Sequence, residues 1–137
     1  MEWYLKALRQ YADFRGRARR KEYWMYILFH LMFICAFVFL GVVFENYMGS
    51  FSLSPMLLGI YVLGTIIPTF AVLVRRLHDT NRSGWNFLIR FIPLIGDILL
   101  LVFLVDEGDP GPNRYGPDPK EESVFDRIDE IGEYEEY

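Results

Sequence analysis

Apolar residues fall in three long blocks separated by short polar segments, and the length of each block decides what it can be. The first, WMYILFHLMFICAFVFLGVVF at 24–44, holds 21 residues without a formal charge. As an α-helix it measures roughly 31 Å, which matches the hydrocarbon thickness of a bilayer. A buried soluble helix of that length carries a polar stripe. A secretory signal has a shorter apolar core and a cleavage site of the A-x-A kind. Neither pattern is present, so this block predicts a retained transmembrane helix.

The second block, MLLGIYVLGTIIPTFAVLV at 56–74, has 19 uncharged residues and a central Pro68. Membrane helices accommodate such a proline as a kink. The third, FLIRFIPLIGDILLLVFLV at 87–105, has fifteen Leu, Ile, Val and Phe residues but also Arg90 and Asp97. Each apolar residue gains roughly 0.3–0.6 kcal/mol on insertion, whereas Asp97 near the centre costs about 2.5–3.5 kcal/mol and Arg90, nearer an end, less. Insertion wins by the smallest margin of the three. Pro93 and Gly96 interrupt the block, so the pattern fits a broken third crossing and also a re-entrant hairpin.

The flanks are shorter elements. In WYLKALRQYADF, residues 3–14, Tyr4, Leu8 and Tyr11 recur at helical spacing with Lys6 and Arg9 elsewhere, as in a short amphipathic helix lying on a membrane surface and ending by Gly16. GDPGPNRYGPDP at 108–119 is too rich in proline and glycine for regular structure and reads as a string of turns. In SVFDRIDEIGEYEEY, Ser123 is a candidate N-cap for a narrow apolar face of Val124, Ile128 and Ile131, and the same segment also has a composition compatible with disorder. The expected architecture is an all-α membrane protein with three transmembrane helices, the third broken near Pro93 and Gly96. A membrane domain at 1–105 is followed by a turn segment at 106–120 and an acidic tail at 121–137.

Charge gives this arrangement a direction. The 137 residues carry a net charge of −4, but twelve of the eighteen acidic residues lie beyond residue 105. Lys and Arg cluster in FRGRARRKEYW before the first block and in RRLHDTNR after the second, while 45–55 has none. Cytoplasmic flanks hold such clusters, so the amino terminus and the 75–86 loop are expected inside and the 45–55 loop outside. A full third crossing then puts the tail on the periplasmic side. Tyr23, Trp24, Tyr26 and Trp85 sit where interface anchors are expected. The one cysteine, Cys35, rules out an internal disulfide framework and reads as an apolar packing residue.

In this order and spacing, FRGRARRKEYW (14–24), VRRLHDTNRSGW (74–85) and IPLIGDILLLVFL running into GPNRYGPDP (92–119) resemble the signature of the YhaH/YhaI-like family of small bacterial inner-membrane proteins, a domain of unknown function. The resemblance covers residues 1–120. It implies a bacterial inner-membrane location and a three-span helical domain, and no reaction, substrate or cofactor. The sequence departs from the family pattern at Asp97, where a large apolar or aromatic residue is expected, and in its extension at 121–137.

Candidate chemistry is sparse. His78 and Asp79 form an H-D pair, but the only other histidine is His30, inside the first block, so the ligand count for a transition metal is missing. No P-loop, G-x-S-x-G or H-E-x-x-H motif occurs. Arginines beside a membrane span are first of all topogenic, so nucleic acid is not an expected partner and no cofactor is expected. Anionic lipid is the better ligand, since each Lys or Arg near a cytoplasmic leaflet gains on the order of 1 kcal/mol. Arg15, Arg17, Arg19, Arg20, Lys21, Arg75, Arg76 and Arg82 are the candidate headgroup rim. The polar loop around His78 and Asp79 also has a structural use, with Asp79 paired to Arg75 or Arg76 and Asn81 and Gly84 turning the chain.

Asp97 is the one acid expected at mid-membrane, where ionisable groups are functional candidates. Seven residues from Arg90, it shares a face with it on an unbroken helix and lines a proton or ion path, or else it hydrogen-bonds structurally to Thr65, Thr69 or His30, or sits close enough to the interface to stay hydrated. The leading functional expectation is a non-enzymatic accessory, regulatory or scaffold protein, with a homo-oligomer or membrane-protein partner. The alternatives are an oligomeric transporter subunit using Asp97 and a lipid-headgroup enzyme using Arg75, Arg76, His78 and Asp79.

Overall fold

The computed structural model describes residues 2–48 and 54–121. The described elements are α1 (Glu2–Arg9), α2 (Arg20–Met48), α3 (Ser54–Asp79), a 3-10 helix (Gly84–Phe91) and α4 (Gly96–Val105). No strand occurs among the described residues, only an isolated bridge between Asn113 and Gly116. The chain divides into two units. Among the described residues, one takes in the segment up to Asp13 with Glu22–Ala71, and the other takes in Phe14–Lys21 with those from Val72 onward.

Helices α2 and α3 carry the first two apolar blocks, and both are long and apolar enough to cross a membrane. Within the apolar blocks their outward side chains are apolar: Phe39 is 67 % exposed and Leu63 69 %, with Leu28, Leu31, Met32, Leu40, Met56 and Ile60 also on the surface. Soluble monomers do not leave apolar surface of this extent open to water.

In the first unit α1 is packed by its aromatic face. Tyr4 is buried and stacks on Tyr26 with ring centroids 5.3 Å apart, and Phe33 lies 5.4 Å away. The hydroxyls of Tyr4 and Tyr61 share a hydrogen bond of 3.0 Å, and Tyr61 also bonds His30 Nδ1 at 2.9 Å. Tyr26 bonds Thr69 Oγ1 at 2.8 Å. Lys6 donates to the buried carboxylate of Glu22 at 3.1 Å. These contacts correct two expectations: α1 ends at Arg9 rather than near Gly16, with Tyr4 buried rather than lying on a surface, and Tyr26 is an interior residue rather than an interface anchor. Each buried hydroxyl here has a partner, which a buried tyrosine requires.

Pro68 lies inside α3 and has no N–H to donate to the carbonyl of Gly64, four residues back. The hydroxyl of Tyr11 donates to that carbonyl at 2.8 Å. Thr65 and Thr69 bond back to carbonyls of their own helix, Tyr61 at 2.8 Å and Thr65 at 2.6 Å.

In the second unit the third block does not form one continuous helix. The 3-10 helix gives way to a bend at 92–95 in which Leu94 adopts a left-handed φ of 68°, and α4 then returns against the 3-10 helix. Gly96 makes this approach possible, because a Cβ there would lie 2.1 Å from the Ile89 carbonyl oxygen. Gly84 also sits close to Val74, where a Cβ would meet a methyl carbon at 2.8 Å, so the chain turns back alongside α3 as the 3-10 helix begins. The break falls where Pro93 and Gly96 predict it.

Candidate functional site

The polar run after the second block begins as a helix terminus. Asn81 has a left-handed φ of 56°, its N–H donates to the His78 carbonyl at 3.0 Å, and the N–H of Arg82 donates to the Leu77 carbonyl at 3.0 Å. This is the Schellman arrangement, with asparagine in the place glycine commonly takes. It ends α3 and turns Asp79 toward the interior of the second unit.

Asp79 is the centre of the site, with a side chain 4 % exposed. One carboxylate oxygen accepts from Arg17 Nε at 3.0 Å, and the other from Arg76 Nη1. Both guanidiniums are buried as well. Two cations on one anion leave a positive excess, which is spread over main-chain oxygens. Arg17 donates to the carbonyls of Gly111 at 2.6 Å and Asp109 at 2.5 Å, while Arg76 donates to those of Leu104 at 3.1 Å and Asp106. The Leu104 and Asp106 carbonyls lie at the negative end of α4, where a guanidinium is electrostatically favoured.

The segment after α4 is thereby tied to the end of α3 at several points. The N–H of Asp109 donates to the Asp79 carbonyl at 2.9 Å, and Arg82 pairs with the Asp106 carboxylate at 2.9 Å while lying over the Phe103 ring. Asn113 Nδ2 donates to the His78 carbonyl at 2.9 Å, and Arg114 to that of Asn81 at 2.8 Å. The Tyr115 ring stacks on His78 with centroids 3.7 Å apart and planes 4° from parallel. His78 Nδ1–H donates to the Gly16 carbonyl at 3.2 Å. Gly108 passes so close to Asp79 that a Cβ would lie 2.2 Å from its carboxylate oxygen. At the periphery, the hydrogen bond and charge of Lys120, 3.0 Å away, hold the exposed Glu107 carboxyl below its ordinary range.

Of the residues expected to form a headgroup rim, Arg17, Arg75 and Arg76 are buried, and Arg17 and Arg76 are engaged with Asp79. This is a correction with a plain cause: a buried carboxylate and exposed carbonyl ends recruit guanidiniums more strongly than solvent does. Arg15, Arg20 and Lys21 are exposed, and Arg19 and Arg82 are half-buried. The expected pairing of Asp79 with Arg76 is present, and its second partner, Arg17, comes from 62 positions away, where no spacing in the sequence marks it. Arg90 and Asp97 do meet, at 3.2 Å, but across the bend rather than along one helix face, and both side chains are more than two-thirds exposed. Thr65, Thr69 and His30 have the partners described above instead of Asp97.

As chemistry, Asp79 has both oxygens committed to guanidiniums and is closed to solvent, so it is built as a joint between three chain segments rather than as an open base. Residues 11–117 match the family described as "Protein of unknown function (DUF805)". The chain belongs to the DUF805 family. Among similar proteins of Escherichia coli (strain K12), inner membrane protein YhaH is 48 % identical over 122 residues, covering 88 % of this chain and 98 % of the relative. Inner membrane protein YhaI is 46 % identical over 121 residues, covering 88 % and 97 %. Uncharacterized protein YiiR is more distant, 29 % identical over 143 residues, covering 80 % and 87 %. No solved structure matches this DUF805 chain.

Proposed function

We propose that this chain is an integral protein of the bacterial inner membrane with its amino terminus in the cytoplasm, acting without catalysis as an accessory or scaffold protein that holds anionic lipid headgroups. The names of the relatives at 48 % and 46 % identity support the location. The observation that carries the ligand is the basic run of exposed Arg15, Arg20 and Lys21 with half-buried Arg19, which leads into α2 and opens it just before its uncharged stretch. Arg82 joins this rim in part. Arg17 and Arg76 are removed from it by their pairing with Asp79, and the same pairing argues against a headgroup enzyme built on Arg76 and Asp79. A partner protein or second copy is expected to act with it.

The test is native mass spectrometry of the protein released from detergent with phosphatidylglycerol and with phosphatidylcholine. The wild type retains the anionic lipid preferentially, and the quadruple Gln variant at Arg15, Arg19, Arg20 and Lys21 loses that preference. At on the order of 1 kcal/mol per cation, four substitutions weaken retention well over tenfold. Equal retention of both lipids by the wild type overturns the reading.

A further inference from the structure

We infer that residues 84–105 form a re-entrant hairpin that enters and leaves the cytoplasmic leaflet, with lipid acyl chains as its occupant, so that the chain crosses the membrane twice and residues 106–118 lie on the cytoplasmic side. The sidedness rests on the orientation proposed above; the hairpin itself does not.

The decisive geometry is where the chain goes after α4. A crossing helix separates its ends by the roughly 30 Å of the hydrocarbon core. Here the chain leaves α3 at Asp79 and, beyond α4, returns to it. The N–H of Asp109 is on the Asp79 carbonyl at 2.9 Å, the Asp106 carboxylate on Arg82 at 2.9 Å, and the Tyr115 ring on His78 at 3.7 Å. The ten residues of α4 reach about 15 Å, half a bilayer. The start of the hairpin lies beside Val74, the last residue of the second apolar block, so the hairpin begins at the level where α3 enters the apolar phase.

Its surface specifies the occupant. Trp85 is 74 % exposed, Phe91 77 %, Leu94 at the bend 95 % and Ile98 62 %. The two charges of the hairpin, Arg90 and Asp97, neutralise one another at 3.2 Å, which lowers the cost of bringing them into the leaflet. Irregular backbone in a leaflet is costly where its polar groups are unpaired, and in the bend the N–H groups of Ile92, Ile95 and Gly96 donate to the carbonyls of Ile89 at 2.9 Å, Pro93 at 2.8 Å and Ile92 at 2.9 Å.

Single cysteines test the inference in a Cys35→Ser background, using the full chain in spheroplasts and in inverted membrane vesicles. Arg20→Cys and Pro117→Cys react with a membrane-impermeant maleimide from one face, and Ser50→Cys from the other. Leu94→Cys resists the impermeant reagent from both faces and reacts with a lipid-soluble one; Ile98→Cys serves the same purpose if Leu94→Cys does not fold. Reaction of Pro117→Cys from the Ser50 face overturns the hairpin. Impermeant labelling of Leu94→Cys, or shielding of it from both reagents, overturns lipid as the occupant. If Arg20→Cys and Pro117→Cys react together from the outer face, the hairpin stands and the cytoplasmic orientation falls.

Discussion

Arg17 and Asp79, 62 positions apart, meet at 3.0 Å with both side chains buried. Arg76 occupies the other carboxylate oxygen, so removing the single anion leaves two buried cations facing each other. Asp79→Ala is therefore expected to cost about 3–5 kcal/mol, the range for breaking a buried ion pair from one side. The loss is read as a lower unfolding midpoint in detergent. Arg17→Met costs less, because Arg76 still compensates the carboxylate, and the triple apolar variant at Arg17, Arg76 and Asp79 is more stable than Asp79→Ala alone.

Gly108 tests the same joint by shape. A Cβ there would lie 2.2 Å from the Asp79 carboxylate, and the contact is with a side chain pinned by two arginines. Gly108→Ala is expected to destabilise the protein clearly, by about 1–3 kcal/mol, as overpacking does. Gly59→Ala, in an open position of α3, is the control and is neutral or stabilising by up to about 1 kcal/mol. Equal midpoints for the two variants would remove the joint.

The bond from Tyr11 to the carbonyl that Pro68 frees makes a separable prediction. Tyr11→Phe strands the Gly64 carbonyl and costs about 1–2 kcal/mol. Pro68→Ala restores a main-chain donor, so in its presence Tyr11→Phe costs much less. A double-mutant cycle in detergent checks this, and additive effects would contradict the pairing.

Asp97 is expected to matter little for stability. Its pair with Arg90 is exposed on both sides, at 67 % and 74 %. Asp97→Asn should leave folding and assembly unchanged, with ion and proton flux in liposomes at the background of protein-free vesicles. Flux in the wild type that disappears in the variant would revive the transporter reading.

The two long helices were legible because their length and lack of charge admit few structures. The broken third block was legible in Pro93 and Gly96, and Asp79 with Arg76 in a spacing of three residues on one helix. Sequence spacing carries no trace of Arg17 with Asp79, or of Tyr115 on His78, because both depend on the path of the chain between distant elements. The basic cluster misled in part for a related reason. Clustering reveals the sign of a surface field but not which guanidiniums a buried carboxylate withdraws from it. Asn113, Tyr115 and Gly108 read in the sequence as parts of a turn segment, and the interior of a turn-rich segment has no periodicity to mark the side chains that dock. Ser123 as an N-cap and the acidic tail lie outside the described residues.

The most direct measurement of the joint is a cross-link between positions 78 and 115. With His78→Cys and Tyr115→Cys combined in the Cys35→Ser background, a short bis-maleimide in native membranes should give one intramolecular cross-link, detected by intact mass, because the stacked rings, 3.7 Å apart, bring the two side chains together. Two separate single-ended maleimide adducts on one chain, with no cross-link between them, would contradict it.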